Sequence, residues 1–241
     1  MRIVDGQLVA FLGDSITQHL VAVSDRMETQ ADGLPPVGTL IRVDRHENRG
    51  WTAMLANRVH LAYPERRIHY LNAGIGGHSS RQMLARFNAD ILAHHPQWLL
   101  LSAGVVEVRR VYQPDRASER VPLEEYAANL TVMTTMALDA DIHVILLEPT
   151  PHGHPVTDGP RDVTLEEVNT LTRQYATAMM HVAQKMEVAF IPLFERFQDM
   201  ESRLAGEASL YADEVHLGAI GDLLYSQLVY DYLDLQSLLH G

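Results

Sequence analysis

Cysteine is absent from the 241 residues. That removes disulfides, thiolate metal sites and cysteine nucleophiles together. It suits a reducing cytosol, so a cytoplasmic location is the expectation, with a cysteine-free secreted protein as the alternative. The opening Met1-Arg2-Ile3-Val4-Asp5 has no long apolar core and no small-residue cleavage site, so no export signal is read there. Long apolar runs are missing too. None approaches the roughly 18–20 residues that a spanning helix needs. Basic residues are scarce: 19 Lys and Arg stand against 31 Asp and Glu, a formal net charge of -12. Phosphate binding needs a basic face, so neither nucleic acid nor an anionic membrane surface is an expected partner. A neutral small molecule is compatible with that charge. Assembly into a homo-oligomer is left open.

What is present is ordinary for a soluble globular chain: 46% AVILMFWYC and 21% DEKR. The length is short for two domains and comfortable for one large α/β domain over 1–241, with a core that needs no staple. Five short apolar runs each stop at a turn residue. They are Val9–Leu12 before Gly13, Ile68–Asn72 before Gly74, Trp98–Ser102 before Gly104, Ile142–Leu147 before Pro149, and Val188–Ile191 before Pro192. Such runs suit strands buried on both faces of a parallel sheet. Helical periodicity fills the intervals at 51–62, 79–94, after Pro122, after the Thr164/Glu167 capping box, and over 218–238. The alternation predicts βαβ units in a flavodoxin-like, three-layer α/β/α fold with strand order 2-1-3-4-5. Residues 19–49, rich in Gly, Pro and charge, interrupt the rhythm as an insert. They read either as a lid or as a surface excursion.

Ligands of open α/β sheets bind at the carboxyl ends of the strands. Strand 1 ends in Gly13-Asp14-Ser15-Ile16-Thr17. A serine opening a helix there can be both a nucleophile and an oxyanion donor through its N–H; the simpler alternative is a helix cap. Strand 2 ends in Asn72-Ala73-Gly74-Ile75-Gly76-Gly77-His78-Ser79, where the choice is a tight turn or a free Gly77 N–H facing a cleft. Asp213-Glu214-Val215-His216 puts a carboxylate within reach of an imidazole, whose second nitrogen can then take a proton from serine. His152 and His154 sit on the loop after strand 4 without a third metal ligand at recognisable spacing. Asp90 and His94 read as a solvated helix face. Arg109-Arg110 reads as an exposed pair or an anion-binding pair.

Taken together, GDSIT at 13–17, NAGIGGHSS at 72–80 and DEVH at 213–216 resemble the SGNH, or GDSL-type, hydrolases, closest in appearance to bacterial acetyl-xylooligosaccharide esterases. The resemblance implies Ser15 as nucleophile, His216 as general base and Asp213 as its orienting partner. It implies an oxyanion hole from the N–H groups of Ser15 and Gly77, and no cofactor or metal. Asp14, His78, Val106, Glu107 and His152 are expected to line the substrate cleft. The implied activity is hydrolysis of short acyl esters, acetyl foremost, on a small carbohydrate, through an acyl-enzyme. A catalytically impaired binding protein and an acyltransferase are the alternatives. One departure bears on the rate. The family's third block reads Gly-x-Asn-Asp, its Asn side chain serving as a third oxyanion donor. Here Gly104-Val105-Val106-Glu107 puts an apolar side chain in its place. Loss of such a donor costs about 10²–10³ in rate. His78, Arg109, Asn72 or a group from the insert are candidates to fill the gap.

Overall fold

The computed structural model describes residues 2–18, 50–157, 162–236 and 238–239. The 19–49 insert therefore lies outside the described residues. Five strands, β1 (Leu8–Gly13), β2 (His69–Gly74), β3 (Trp98–Ser102), β4 (His143–Leu147) and β5 (Ala189–Ile191), form one sheet. All pairings are parallel and the order is β2-β1-β3-β4-β5, as the alternating pattern predicts. The register aligns Gly13 with Gly74, Leu12 with Leu101, Leu101 with Leu146, and Leu147 with Ile191, so the carboxyl ends form one edge.

The helices are α1 (Ser15–Gln18), α2 (Trp51–Ala62), α3 (Ser80–Asp90), α4 (Val105–Val111), α5 (Leu123–Asp139), α6 (Leu165–Met186), α7 (Phe194–Leu204) and α8 (Ala219–Leu235). Side chains alternate across each strand and divide the core in two. Ala10, Leu12, Leu99, Leu101, Val144 and Leu146 face a layer that holds Phe87 of α3, Leu130 of α5 and Met179 of α6. Val9, Phe11, Leu100, Ile145 and Leu147 face Trp51 of α2, Phe197 of α7 and Tyr225 of α8. On that second face Trp51 stacks on Tyr225 at 4.4 Å and meets Phe11 edge-on at 5.3 Å. The amide of Trp51, in the first turn of α2, donates to the buried Asp222 carboxylate of α8 at 3.1 Å. That bond ties the two helices of the outer layer together. No helix among the described residues is long and apolar enough to cross a membrane.

The structure departs from the sequence expectations at several helices. The segment 79–94 is α3 up to Asp90 followed by a separate turn of 3-10 helix at 92–94. Pro122 is the cap of α5 rather than its first residue. Helices α4 and α7 lie where the sequence pattern predicts none. Asp90 is not on a solvated face: it is 2% exposed and accepts a 2.5 Å hydrogen bond from Arg86, one helical turn earlier. Arg86 also donates to the carbonyls of Ala73 (2.7 Å) and Gly13 (3.1 Å). One buried cation thus clasps the ends of β2 and β1, where the two signature loops begin. Replacing Arg86 by methionine would leave the Asp90 carboxylate buried and uncompensated. The expected cost is about 3–5 kcal/mol, read as a lower urea midpoint at unchanged slope.

Candidate active site

Ser15, Gly77, Asp213 and His216 come from three loops that end on this one sheet edge. Asp14 starts α1: its carboxylate accepts the N–H of Ile16 at 2.9 Å and its carbonyl accepts the N–H of Gln18 at 2.9 Å. That cap turns the chain so that Ser15 opens the helix with its hydroxyl within reach of His216. The stretch 211–217 closes on itself by a Tyr211–Leu217 bridge and by the Ala212 N–H to His216 carbonyl bond of 2.8 Å. Within it, one Asp213 oxygen accepts the N–H groups of Val215 (2.9 Å) and His216 (2.8 Å). The other oxygen lies 2.7 Å from His216 Nδ1, and His216 Nε2 lies 2.9 Å from Ser15 Oγ. Burial alone would raise the Asp213 carboxyl, but the two amides and the His216 ring outweigh it and hold it below the usual carboxylate range. An ionised Asp213 keeps the proton on Nδ1, which leaves Nε2 as the acceptor facing serine.

The backbone N–H groups of the loop after β2 find acceptors one after another, with a single exception. Gly74 donates to Asn72 Oδ1, Ile75 to the Gly13 carbonyl, Gly76 to Gln18 Oε1, and His78 to the Ile75 carbonyl. Ser79 donates to Gln82 Oε1 and Ser80 to Glu107 Oε1. Gly77 alone in this run has no acceptor among the described residues. The N–H of Ser15, at the first position of α1, has none either. Both residues are partly buried, and donors left without a protein acceptor are of the kind that can receive an anionic oxygen. Glycine is required at 77 because φ is +75°, a region that side chains rarely adopt. It is required at 74 for another reason: a Cβ there would fall 2.3 Å from the Gln18 backbone nitrogen.

Over residues 11–223 the sequence matches the GDSL-like lipase/acylhydrolase family. The chain belongs to that family. Among curated proteins it is 25% identical over 228 residues, 94% of either chain, to an acetylxylan esterase of Geobacillus stearothermophilus. It is 28% identical over 194 residues, 74% of this chain and 72% of the other, to isoamyl acetate-hydrolyzing esterase 1 homolog of Homo sapiens. The crystal structure of the Geobacillus acetylxylan esterase superposes with a TM-score of 0.74 at 23% identity, covering 97% of this chain and 95% of that one. An alpha/beta hydrolase enzyme from the metagenome of Lake Arreo, Spain, gives 0.70 at 20% identity over 99% of both.

Other expected cleft residues of this GDSL-like chain sit differently. Asp14 and Glu107 are each 1% exposed and bond backbone amides with their oxygens. Glu107 accepts from Ser80 at 2.6 Å and from Gly104 at 3.1 Å, holding the loop after β2 to the turn after β3. Val106 is 6% exposed yet belongs to neither core cluster. His78 is half-buried next to Gly77. His152 is buried, not surface-lining, and its backbone is bonded twice to Asn169. Burial, helped by the positive charge of Arg109 and opposed by Asp213, takes its imidazole down to about 3, so it is neutral. Thr172 already gives its hydroxyl proton to the Val168 carbonyl, so at 3.4 Å its oxygen can only receive Nδ1–H of His152. Asn72 cannot serve as an oxyanion donor, since its amide nitrogen is committed to the Thr17 carbonyl (2.9 Å) and the Thr52 hydroxyl (3.3 Å). Arg109 pairs with Glu214 at 3.0 Å. Glu214 in turn accepts the amide and hydroxyl of Thr157, which braces the loop bearing Asp213 and His216. No group of three or more metal-binding side chains occurs among the described residues.

Burial pushes the Asp14 carboxyl up to about 7, with the Ile16 amide opposing and Glu107 adding to the rise. The folded protein therefore holds a proton that the unfolded chain releases near 3.8. Stability from this group is complete below that value and is lost as the pH climbs to about 7. Asp14→Asn removes the titration while keeping an oxygen for Ile16. Its unfolding free energy relative to the parent is expected to increase from pH 4 to pH 8, with a ceiling of about 4 kcal/mol. Urea titrations across that range provide the check.

Proposed function

We propose that this protein is a serine esterase that cleaves short acyl esters, acetyl foremost, by way of an acyl-enzyme. The observation that carries the reading is the unbroken Asp213–His216–Ser15 relay at 2.7 and 2.9 Å, together with the Ser15 and Gly77 amides left without an acceptor among the described residues. In the first half-reaction Ser15 Oγ attacks the ester carbonyl while His216 Nε2 takes its proton. The carbonyl oxygen becomes an oxyanion held by the N–H groups of Ser15 and Gly77. Collapse expels the alcohol, which takes the proton from the His216 imidazolium that Asp213 stabilises. Water then repeats the sequence on the acyl-enzyme and releases the acid.

The relatives support the substrate class. One is named for acetylxylan and the other for isoamyl acetate, and both of these are acetyl esters. Solved structures of the Geobacillus esterase described as catalytic mutants replace a serine, an aspartate and a histidine, the last two at the spacing of Asp213 and His216. Acetyl groups on a small carbohydrate are the natural substrate we favour. Binding without turnover is the competing reading, and Val106 is what favours it. The deciding experiment follows hydrolysis of p-nitrophenyl acetate, butyrate and decanoate, and acetate release from acetylated xylo-oligosaccharides, by the parent and Ser15→Ala. Ser15-dependent turnover that falls with acyl length supports the esterase. Equal rates in parent and variant on every substrate support the binding protein, and a preference for decanoate sinks the short-acyl assignment.

A further inference from the structure

The Gly77 N–H, unpaired among the described residues, lies one Cα away from the Gly77–His78 peptide, so whatever fixes that following peptide restrains the Gly77 backbone. The Gly77 carbonyl accepts a 3.2 Å hydrogen bond from the Arg110 guanidinium. Arg110 is no member of an exposed pair: its side chain is only 5% exposed. The rest of the guanidinium is fixed by Gln113 Oε1 at 2.6 Å and Glu119 Oε2 at 3.1 Å. Glu119 also binds Arg116, at 2.7 and 2.8 Å. One carboxylate shared by two guanidiniums leaves a net positive charge, and the Arg110 part of it abuts the Gly77–His78 peptide.

Arg110 also lies one turn beyond Val106 on α4. Residues four apart share a helix face, and side chains lean toward the helix N-terminus. Arg110 and Val106, the position at which a polar third donor is missing, thus share one face of α4, and the Arg110 guanidinium reaches the Gly77 carbonyl. Glu107, on the same short helix, fixes the far end of the same loop through Ser80. Helix α4 thus grips the loop at two points, by a carboxylate on the Ser80 amide and by a guanidinium on the Gly77 carbonyl.

We infer that Arg110 is a positioning residue for ester hydrolysis: by fixing the peptide that follows Gly77 it restrains the Gly77 backbone, so that the Gly77 N–H stays available to the reacting oxygen, and it brings positive charge near the oxyanion, making up in part for the absent donor at 106. This rests on the esterase reading above. A neutral ester carbonyl gains little from such a charge, whereas the oxyanion gains much, so the effect belongs in kcat.

The test is a double-mutant cycle of Arg110→Met and Val106→Asn, with p-nitrophenyl acetate as substrate and Ser15→Ala as blank. Arg110→Met is expected to lower kcat about 10- to 100-fold with KM within about threefold. Val106→Asn is expected to raise kcat less than about tenfold in the parent but more than about tenfold in the Arg110→Met background. Equal gains in both backgrounds, or a kcat in Arg110→Met within threefold of the parent, overturn the proposal. If Arg110→Met loses its native circular dichroism, the cycle is run with Arg110→Lys, which keeps the charge but not the fork. There, a smaller kcat loss that Val106→Asn relieves supports the proposal, and independent effects overturn it. A parent without Ser15-dependent turnover overturns the esterase reading first. An active parent with an indifferent Arg110 overturns only the inference.

Discussion

Alanine at position 15 is expected to lower kcat for p-nitrophenyl acetate on the order of 10⁶-fold, to the level left by the two amides and substrate binding. The size follows from the division of labour in the site. In the proposed mechanism the proton that His216 gives to the leaving alcohol is the one it takes from Ser15, so removing the serine oxygen idles all three. Stability is expected to hold within about 0.5 kcal/mol, because the Ser15 hydroxyl bonds only His216 among the described residues and the first turn of α1 is capped by Asp14. The contrast between a collapsed rate and an unchanged urea midpoint is the signature of a nucleophile rather than a packing residue. A variant that keeps more than about one part in a hundred of the parental rate removes Ser15 from that role.

The sheet was legible in the sequence because its strands are buried on both faces. Apolar runs such as Trp98–Ser102 have no other use, and the turn residues that stop them mark the edge where ligands bind. The contacts among Ser15, Asp213 and His216 were legible only as a joint pattern, since neither a post-glycine serine nor an Asp-x-x-His has meaning alone. Helix α7 had a readable signal in Phe194 and Phe197, three apart among polar residues. Helix α4 had little: Val105, Val106 and Val108 favour no single face, and seven residues are too few for a period to emerge.

The buried charges were the least legible part. Asp14, Arg86, Asp90, Glu107 and Arg110 look solvated in any reading that sends charge to the surface. Their partners explain why they are inside. Gly13, Ala73 and Gly77 offer carbonyls, and Ile16, Ser80 and Gly104 offer amides, at a sheet edge where the strand ladder has ended. Backbone groups left over there must be paired or left bare. Among the described residues the chain pairs these groups with side chains or with other backbone groups, and leaves the amides of Ser15 and Gly77 open. Such pairing joins residues far apart in sequence, such as Arg86 with Gly13, so no local period announces it.

Asp213→Asn is expected to cut kcat by about 10³- to 10⁴-fold while the fold stays intact. The asparagine oxygen can still accept the amides of Val215 and His216, so the loop keeps its shape. What changes is the atom facing His216 Nδ1. An NH₂ group there donates, which forces Nδ1 to accept and moves the ring proton to Nε2. That proton then points at Ser15 Oγ, and the ring cannot take the serine proton. The Asp213 side chain is 52% exposed, so water competes for Nδ1, and the lower end of the range is the more natural outcome. Alanine at 213 tests the tautomer against simple loss of charge. It removes the carboxylate without installing a donor, so water can accept Nδ1–H and preserve the productive tautomer. If orientation of the ring proton is what Asp213 supplies, Asp213→Ala should retain more kcat than Asp213→Asn. If stabilisation of the imidazolium is its main contribution, the two should fall alike, since both lose the same negative charge.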